Sequence, residues 1–310
     1  MSAFIVLEGG ILSLIEDFGR YGLCDKGITN SGVMDEYAYM ALNYLLQNQP
    51  NTNCIEITMG GLKLEAGDSC VIAVTGADTS FSINSVKQNI WRTHNINKGD
   101  ILEFGYAKNG VRIYFGVKDG FDIKKELGSS SATLKEEIGQ SLKKGDLLKF
   151  SHNEIQDYNI LLKEKFIPLY PKELEVRVVL GYQDNFFKSK EIEKFFSQTY
   201  TISPQFNRMG YRLEGEPIEC DIGGIISEGI SFGAIQIPKD GKPIILLKER
   251  QTIGGYPKIG SALPIDCFKL SQLKAGDKVK FKVIEIEEAQ KKMKIFKNSL
   301  NLRTITDKAC

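Results

Sequence analysis

The segment 203–260 decides the fold class of this chain, and it reads SPQFNRMGYRLEGEPIECDIGGIISEGISFGAIQIPKDGKPIILLKERQTIGGYPKIG. Short apolar runs such as residues 243–247 lie between glycines, which is the pattern of strands joined by turns. Arginine, glutamine and threonine stand beside glycines at the ends of these runs. Such residues suit a pocket for a small anionic or amide-bearing molecule, because glycine brings backbone close and arginine binds carboxylates through two donors. The alternative is that they only form hydrogen-bonded turns of an all-β domain.

A Gly-Asp pair recurs four times along the chain, at Gly67-Asp68, Gly99-Asp100, Gly145-Asp146 and Gly276-Asp277. Each pair precedes an apolar or alternating run. Gly-Asp is turn chemistry, and alternation after the turn marks a half-buried strand. Several strands entered by the same type of turn fit a β-barrel. The chain is therefore predicted to be mainly β.

Helices are predicted in only three places. Residues 34–47 carry a stripe of alanine and leucine with Asp35 as the cap, Ser189 is expected to cap a second helix, and a third runs from about residue 287 to 298. The segment 152–172 has few strand signals and ends in Pro168 and Pro171, which is typical of a connection between domains. We therefore predict two β subdomains, residues 1–165 and 166–310.

The composition of the chain argues against several classes of protein, among them nucleic-acid-binding and membrane proteins. The 310 residues carry 40 basic and 39 acidic side chains, so no overall field recruits nucleic acid or an anionic membrane. No signal peptide and no apolar run of about 18 residues is present, so we expect a soluble cytoplasmic protein. Six scattered cysteines read as buried reduced thiols. His94 and His152 have no ligand-type neighbours at metal spacing, so no metal site is expected.

In the N-terminal half, Arg20 follows Gly19 and precedes the glycine-containing stretch 27–32. An arginine in such a turn can bind a carboxylate or phosphate, and a helix that begins near Asp35 would direct free N–H groups to the same region. The alternative is that Asp17 and Arg20 pair with each other while Ser31 or Asp35 merely caps the helix.

Two carboxylates, Glu56 and Asp78, are predicted at strand ends in this half. Either is a candidate base if burial raises its pKa. A turn aspartate is the ordinary explanation for Asp78.

The C-terminal half holds the main candidates for chemistry: Arg208, Glu228, Gln236, Arg250, Gln251, Tyr256 and Lys258. Arginine, glutamine and backbone N–H groups can stabilise a developing oxyanion. No serine or cysteine nucleophile is evident, so positioning and proton transfer are favoured over covalent catalysis. Gly223-Gly224 and Gly254-Gly255 fit neither G-x-G-x-x-G nor the phosphate loop of nucleotide-binding proteins.

These stretches resemble a known family, the biotin-dependent carboxyltransferases of the allophanate hydrolase subunit 2 type, which includes 5-oxoprolinase subunits and a region of urea carboxylase. The resemblance covers roughly residues 9–283. The matching stretches are DFGR at 17–20, SGVMD at 31–35, EIT at 56–58, TGAD at 75–78, SPQ at 203–205, RMGYRL at 208–213, SEG at 227–229, GAIQ at 233–236, RQT at 250–252 and GGYPK at 254–258.

The resemblance implies cyclophilin-like β-barrel subdomains with a few short helices. It also implies membership of an ATP-dependent 5-oxoprolinase complex that opens 5-oxo-L-proline to L-glutamate, in which this chain is inactive alone. The implied partners are the B subunit of the enzyme, which is of the allophanate hydrolase subunit 1 type, and its separate A subunit. ATP would act at the level of the complex, and biotin would take part only if a carrier protein supplies it.

Within such a complex, residue types suggest roles for individual residues. Glu228, Arg250 and Lys258 are the expected catalytic residues, with Glu228 transferring a proton. The expected substrate-binding residues are Arg20, Ser31, Asp78, Gln205, Arg208, Tyr211, Gln236, Gln251, Thr252 and Tyr256. Arg208, Arg250 and Lys258 would hold a carboxylate or a phosphorylated intermediate, and Gln236 and Gln251 would bind amide or carbonyl groups.

The chain departs from the family pattern at two places. Ser129-Ser130-Ser131-Ala132 stands where the family commonly has an arginine, and Asp119-Gly120-Phe121-Asp122 replaces its usual glycine pair. Two other functions therefore stay open. One is a carboxyltransferase component that acts on urea or a related amide with carboxybiotin. The other is a non-catalytic antagonist of a kinase-inhibitor protein.

Overall fold

The computed structural model describes residues 2–152, 159–299 and 306–308. The chain divides into two compact units. Unit 1 takes the described residues within Met1–Arg20, Ser31–Tyr170 and Asn301–Cys310, and unit 2 those within Tyr21–Asn30 and Pro171–Leu300. The division predicted from the sequence, at residue 165, places the segment Tyr21–Asn30 in the N-terminal subdomain instead.

Unit 1 is built from thirteen strands and one α-helix in the described ranges. The strands are β1 (Ala3–Gly9), β2 (Leu12–Glu16), β3 (Cys54–Thr58), β4 (Leu62–Ala66), β5 (Cys70–Asp78), β6 (Phe81–Ile83), β7 (Val86–Lys87), β8 (Arg92–Ile96), β9 (Ile101–Phe104), β10 (Asn109–Val117), β11 (Leu147–Lys149), β12 (Ile160–Leu162) and, from the end of the chain, β22 (Thr306–Lys308). They form a six-stranded sheet in the order β11-β1-β4-β9-β6-β7 and a seven-stranded sheet in the order β2-β3-β10-β5-β8-β12-β22.

The central strand β5 shows how the core of unit 1 forms. Side chains alternate between the two faces of a strand, and here both faces are apolar. Ile72 and Val74 join a core to which both sheets contribute, including Phe4 and Phe115, whose ring centroids lie 5.4 Å apart. Val71 and Ala73, which alternate with them along the strand, pack against helix α1 (Glu36–Leu45) on the other face.

Helix α1 confirms the predicted helix and its cap. The Asp35 carboxylate accepts a hydrogen bond from the Ala38 N–H at 3.1 Å. Glu56 lies at the start of this helix, 1% exposed, and its Oε2 accepts from the Met34 N–H and the Tyr114 hydroxyl, both at 2.8 Å. These contacts show Glu56 anchoring the beginning of α1.

Unit 2 is a closed barrel with three helices in the described ranges. Its strands are β13 (Glu173–Leu180), β14 (Thr199–Phe206), β15 (Gly210–Glu214), β16 (Glu228–Gly229), β17 (Ala234–Gln236), β18 (Ile244–Leu246), β19 (Ile253–Gly254), β20 (Lys258–Ala262) and β21 (Lys278–Val283). Seven of them close in the order β13-β20-β17-β18-β15-β14-β21, while β16 and β19 pair only with each other. We call this pair the ribbon. The mainly β prediction with barrel architecture is confirmed.

The helices of unit 2 are α2 (Ser189–Ser197), α3 (Pro264–Leu270) and α4 (Ile286–Ser299). The predicted second and third helices are present, but Ser189 is the first helical residue and Lys188 occupies the cap position without a side-chain hydrogen bond. Helix α3 was not predicted. None of the helices that the structure describes is long and apolar enough to span a membrane.

Three of the four Gly-Asp pairs, at Gly99, Gly145 and Gly276, lie in the predicted turns, whereas Gly67-Asp68 forms a bend. Gly99 and Gly276 have φ of 90° and 91°, a region that glycine enters without steric cost. The aspartate that follows closes each turn, since Asp100 Oδ2 accepts from the Asn97 N–H at 2.8 Å and Asp277 Oδ2 from the Lys274 N–H at 2.9 Å.

Candidate functional site

The Glu228 carboxylate is the centre of a polar cluster in unit 2. Lys258 Nζ forms an ion pair with Oε1, the Tyr182 hydroxyl donates to Oε2, and Gln183 Nε2 donates to Oε1 at 2.6 Å. The side chain of Glu228 is 31% exposed and that of Lys258 13% exposed. We call the three donor groups, from Tyr182, Gln183 and Lys258, the donor cradle.

Strand pairing brings this cluster together. Glu228 lies opposite Gly254 in the ribbon, and Lys258, the first residue of β20, lies opposite Gln236 on β17. Residues opposite each other in a sheet place their side chains on the same face. A Cβ added to Gly254 would come within 2.7 Å of Gln236 Nε2 and 2.5 Å of Ile230 Cδ1, so the ribbon packs directly on the Gln236 amide. We call Tyr182, Gln183, Glu228, Gln236 and Lys258 the ribbon site.

The electrostatics of the ribbon site keep Glu228 ionised. Its hydrogen bonds with Lys258 and Tyr182 hold the pKa of the Glu228 carboxyl below its usual range. The hydrogen bond to Glu228 raises the pKa of the Tyr182 hydroxyl, which therefore stays protonated as a donor. A general base that works near neutral pH needs a raised carboxyl pKa. The arrangement favours an ionic role for Glu228 over the predicted proton transfer.

Gln183 belongs to this site and was missed by the sequence predictions. It is 4% exposed. Its Oε1 accepts from the Lys258 backbone N–H at 2.8 Å, which directs Nε2 towards Glu228 and the Tyr182 hydroxyl. A glutamine just after an apolar strand has no distinctive sequence signal, because only the fold brings β13 and β20 together.

Arg250 is the second cationic group among the predicted catalytic residues. It is 8% exposed, so its fork is not presented openly to solvent. Nε donates to the Ile230 carbonyl at 3.0 Å, one terminal nitrogen to the Leu247 carbonyl at 3.3 Å, and the other to Asn30 Oδ1 at 2.9 Å. All three acceptors are neutral, and burial lowers the pKa of the guanidinium.

The segment Tyr21–Asn30 contributes further to the surroundings of Arg250. The Thr29 hydroxyl lies 3.0 Å from the Arg250 carbonyl oxygen and 3.2 Å from that of Lys248. This segment therefore supports the loop that follows β18, which explains its membership of unit 2.

Three more predicted residues lie along the ribbon. Gln251 is exposed, Tyr256 is 44% exposed, and Thr252 accepts a hydrogen bond from the Ile230 N–H through its carbonyl at 3.0 Å. Their side chains are half-buried or exposed beside the ribbon site and are available to a ligand or a partner chain.

Arg208, Tyr211 and Gln205 have other placements. Arg208 is 4% exposed and its Nε forms an ion pair with Glu249 Oε1 at 2.5 Å. Tyr211 is fully buried in the barrel, and its hydroxyl donates to the Ser271 carbonyl at 3.0 Å. Gln205 is exposed on β14. The first two placements favour structural roles over the predicted contact with substrate.

In unit 1, Arg20 and Ser31 bind the segment 129–133. One terminal nitrogen of Arg20 donates to Thr133 Oγ1 at 2.9 Å and the other to the Ser131 carbonyl, while the Ser31 hydroxyl donates to the Ala132 carbonyl at 2.8 Å. Asp78, by contrast, is exposed at the end of β5. The contacts of Arg20 and Ser31 are those of residues that shape this segment.

The triple serine at 129–131, where the resemblance predicts an arginine, encloses Asp17. Asp17 Oδ1 accepts from the Ser129 hydroxyl at 2.5 Å and the Ser131 hydroxyl at 2.7 Å, and Oδ2 accepts from the Ser130 N–H at 2.9 Å. Burial alone raises the pKa of the Asp17 carboxyl, but these hydrogen bonds outweigh it and bring that pKa below its usual range. The segment 129–131 is thus a set of hydrogen-bond donors built around an internal aspartate.

The described residues show no group of three or more His, Cys, Asp or Glu side chains placed to hold a metal ion. Gly223-Gly224 lie in a loop, and Gly254-Gly255 end one strand of the ribbon. Neither pair opens a helix, so they do not fit a nucleotide phosphate loop.

Residues 26–283 match the family described as "Carboxyltransferase domain, subdomain A and B". The chain is 32% identical over 291 residues to the C subunit of 5-oxoprolinase from Haemophilus influenzae, a match that covers 92% of this chain and 93% of that protein. It is 30% identical over 298 residues to the C subunit of 5-oxoprolinase from Escherichia coli, with the same coverage of 92% and 93%. The crystal structure of Kluyveromyces lactis urea carboxylase matches 97% of this chain at 26% identity with a TM-score of 0.89, and the match spans 29% of that longer chain.

Proposed function

Because the chain belongs to the carboxyltransferase family of the subdomain A and B type, we propose that it is one of the subunits of an ATP-dependent 5-oxoprolinase. The complex would open 5-oxo-L-proline to L-glutamate. We choose 5-oxo-L-proline over urea as the substrate because of one observation. The similarity covers 93% of a 5-oxoprolinase C subunit but only 29% of the urea carboxylase chain. A 5-oxoprolinase C subunit therefore fits this chain better than urea carboxylase does, both in extent and in identity.

The chemistry of the ribbon site supports this substrate. 5-Oxoproline carries a carboxylate and a lactam, which has one N–H donor and one carbonyl acceptor. Lys258 supplies a cation for the carboxylate. The Gln236 amide is 6% exposed and makes no side-chain hydrogen bond within the part of the chain that the structure describes. An amide has both donors and an acceptor, so it can pair with a ligand that offers one of each, as a lactam does.

Arg250 adds a second cation whose protein partners are all neutral. A desolvated guanidinium is stabilised when it meets an anion. In the proposed complex Arg250 binds a carboxylate or a phosphorylated intermediate. ATP hydrolysis would supply the free energy for ring opening. Since the glycine pairs of this chain do not fit a phosphate loop, we assign nucleotide binding to the A and B subunits of the enzyme, its partners in the cytoplasm.

A second candidate is carboxyl transfer to urea or a related amide, with carboxybiotin delivered by a carrier protein. The TM-score of 0.89 to urea carboxylase over 97% of this chain is the observation that favours it. The two candidates differ in their need for biotin. Avidin should stop the urea reaction and leave 5-oxoproline hydrolysis unchanged.

Co-expression with the A and B subunits from the same genome tests the proposal. The purified complex is expected to release glutamate from 5-oxo-L-proline only when ATP is present, and with avidin added the rate should not change. Samples that lack one of the three proteins at a time are the controls. An intact complex that releases no glutamate, or that carboxylates urea in an avidin-sensitive reaction, would overturn the proposal.

A further inference from the structure

We propose that the donor cradle is a carboxylate-binding site and that Glu228 of the same chain fills it until a ligand carboxylate takes its place. The inference deepens the proposed function and rests on it only for the identity of the ligand, 5-oxo-L-proline. The cradle itself is a recognition site for a small carboxylate.

The first observation is the convergence of three donors on one carboxylate. Lys258 Nζ, Gln183 Nε2 and the Tyr182 hydroxyl all bind the two oxygens of Glu228. Gln183 cannot turn its amide without losing the Lys258 N–H, to which its Oε1 is bound at 2.8 Å. The barrel therefore fixes the Gln183 amide, and the three donors together are arranged to suit any carboxylate of the right reach.

The second observation is the different attachment of the donors and of Glu228. Lys258 begins barrel strand β20, and Tyr182 and Gln183 follow barrel strand β13. Glu228 instead lies on the ribbon, whose two strands pair only with each other. Glu228 can therefore leave the cradle without breaking a strand pairing of the barrel, while the backbone N–H of Lys258 keeps the Gln183 amide in position.

The third observation is that the cradle favours the ionised form of a carboxyl group. The cradle lowers the pKa of the Glu228 carboxyl, so it stabilises a carboxylate anion. Gln236, beside the cradle on β17, faces the same side of the sheet as Lys258. A ligand with a carboxylate in the cradle would then have the Gln236 amide on the same face of the sheet, available to its own amide.

An internal carboxylate competes with the ligand, so the measured affinity of the wild-type chain is reduced by the fraction of time that the cradle is filled. Removal of Glu228 should remove this competition. If Glu228 occupies the cradle for about nine-tenths of the time, Glu228→Ala should bind 5-oxo-L-proline about tenfold more tightly than the wild type. A Lys258→Met change in the Glu228→Ala background should abolish the gain.

Binding is measured by calorimetry or by NMR titration of the isolated full-length chain with 5-oxo-L-proline, and with 2-pyrrolidone as the analogue that lacks the carboxylate. Glu214→Ala is the matched control, because Glu214 also pairs with a lysine, Lys242, but accepts no other side-chain donor among the described residues. Glu228→Gln serves as the second variant if melting shows that Glu228→Ala is unfolded. It preserves side-chain size and loses the charge.

Both Glu228 variants are expected to bind 5-oxo-L-proline more tightly than the wild type does. Their affinity for 2-pyrrolidone should not change, and Glu214→Ala should bind 5-oxo-L-proline as the wild type does. Equal or weaker binding of 5-oxo-L-proline by the folded Glu228 variants would overturn the inference. So would an increase in affinity that persists when Lys258→Met is added to Glu228→Ala. The outcome is separable from the proposed function. Tighter binding by the Glu228 variants without glutamate release by the complex would contradict only the proposed function. Glutamate release by the complex without tighter binding by the variants would contradict only the inference about the cradle.

Discussion

Buried charges in this chain have different partners, and the partner decides what each charge can do. Arg208 is neutralised by Glu249, whereas the buried guanidinium of Arg250 meets only neutral acceptors among the described residues. Asp17 is enclosed by serine donors. Arg250 is consequently better suited than Arg208 to bind an anionic ligand, and Asp17 is suited to hold a loop.

Arg250→Lys is expected to lower the activity of the assembled complex by about ten- to more than hundredfold, which corresponds to about 1.5–3 kcal/mol for a charge-assisted hydrogen bond. Lysine keeps the charge but cannot reproduce the planar fork. Activity and melting temperature are both measured. Asn30→Ala is the control, because it removes one protein acceptor of the fork and keeps the guanidinium. Lost stability with normal specific activity in Arg250→Lys would show that the residue is only structural.

Asp17→Asn should destabilise unit 1 by about 3 kcal/mol, since an amide would present a donor to groups that are themselves donors. The folded-state pKa of Asp17 lies below its ordinary value of 3.8. Its contribution to stability is therefore complete above pH 3.8 and is lost as the pH falls through the folded-state pKa. Urea unfolding of both proteins between about pH 7 and about pH 3 should show the difference in unfolding free energy shrinking at the acidic end. A difference independent of pH would contradict the assignment, and exposed Asp78→Asn is the control.

Residue types alone indicate three of the five members of the ribbon site. Glu228, Gln236 and Lys258 were identified from polar residues near glycines, and strand pairing places them together. Tyr211 was chosen in the same way, yet its side chain is buried in the barrel. A sequence shows that a residue lies on a strand, but the direction of its side chain depends on register, and register is a property of the closed barrel.

Among the structural elements, the ribbon connects fold and function most directly. It carries Glu228 and covers the Gln236 amide through Gly254. Its two strands have two residues each, too short to show an alternating pattern in the sequence. Helix α3 was missed for a related reason. It begins with Pro264 after Leu263, without a side-chain cap, whereas Asp35 marks the start of α1 in the sequence.

Gly254→Ala tests the packing of the ribbon. A methyl group there would meet Gln236 Nε2 at 2.7 Å and Ile230 Cδ1 at 2.5 Å, so the ribbon or the amide must move. We expect a loss of 5-oxoproline-dependent activity of about tenfold or more, because misplacement of a positioning group by about 1 Å is costly in rate. The barrel should melt near the wild-type temperature.

Gly229→Ala is the matched variant on the opposite strand of the ribbon, where an added Cβ has nothing within 4 Å. It should leave activity and melting temperature close to those of the wild type. Equal losses in the two variants would mean that any change in the ribbon is harmful and that contact with Gln236 is not the cause.

At the scale of the whole molecule, the sequence predicted the β class but not the membership of the segment Tyr21–Asn30 in unit 2. The segment Tyr21–Asn30 joins unit 2 through contacts such as Thr29 to the Arg250 carbonyl. These two residues are 221 positions apart, and no local pattern reports such a contact.

The proposed complex predicts a stable interface with the B subunit of the enzyme. A lasting interface of this kind buries on the order of 1,500 Å² or more. Exposed apolar side chains near the ribbon, among them Ile226 at 94% and Ile253 at 58%, are suited to such burial. The co-expressed chains should elute together in size-exclusion chromatography. Separate peaks at micromolar concentration would count against the complex.

The most direct measurement is the rate of glutamate release from 5-oxo-L-proline with ATP, compared between the complete complex, the complex without this chain, and this chain alone. We expect turnover from the complete complex and none from either incomplete sample, because the chain is proposed to recognise the substrate while its sequence carries no nucleotide loop or evident nucleophile. Undiminished turnover without this chain, or ATP-dependent turnover by this chain alone, would contradict its role as a non-autonomous part of a 5-oxoprolinase.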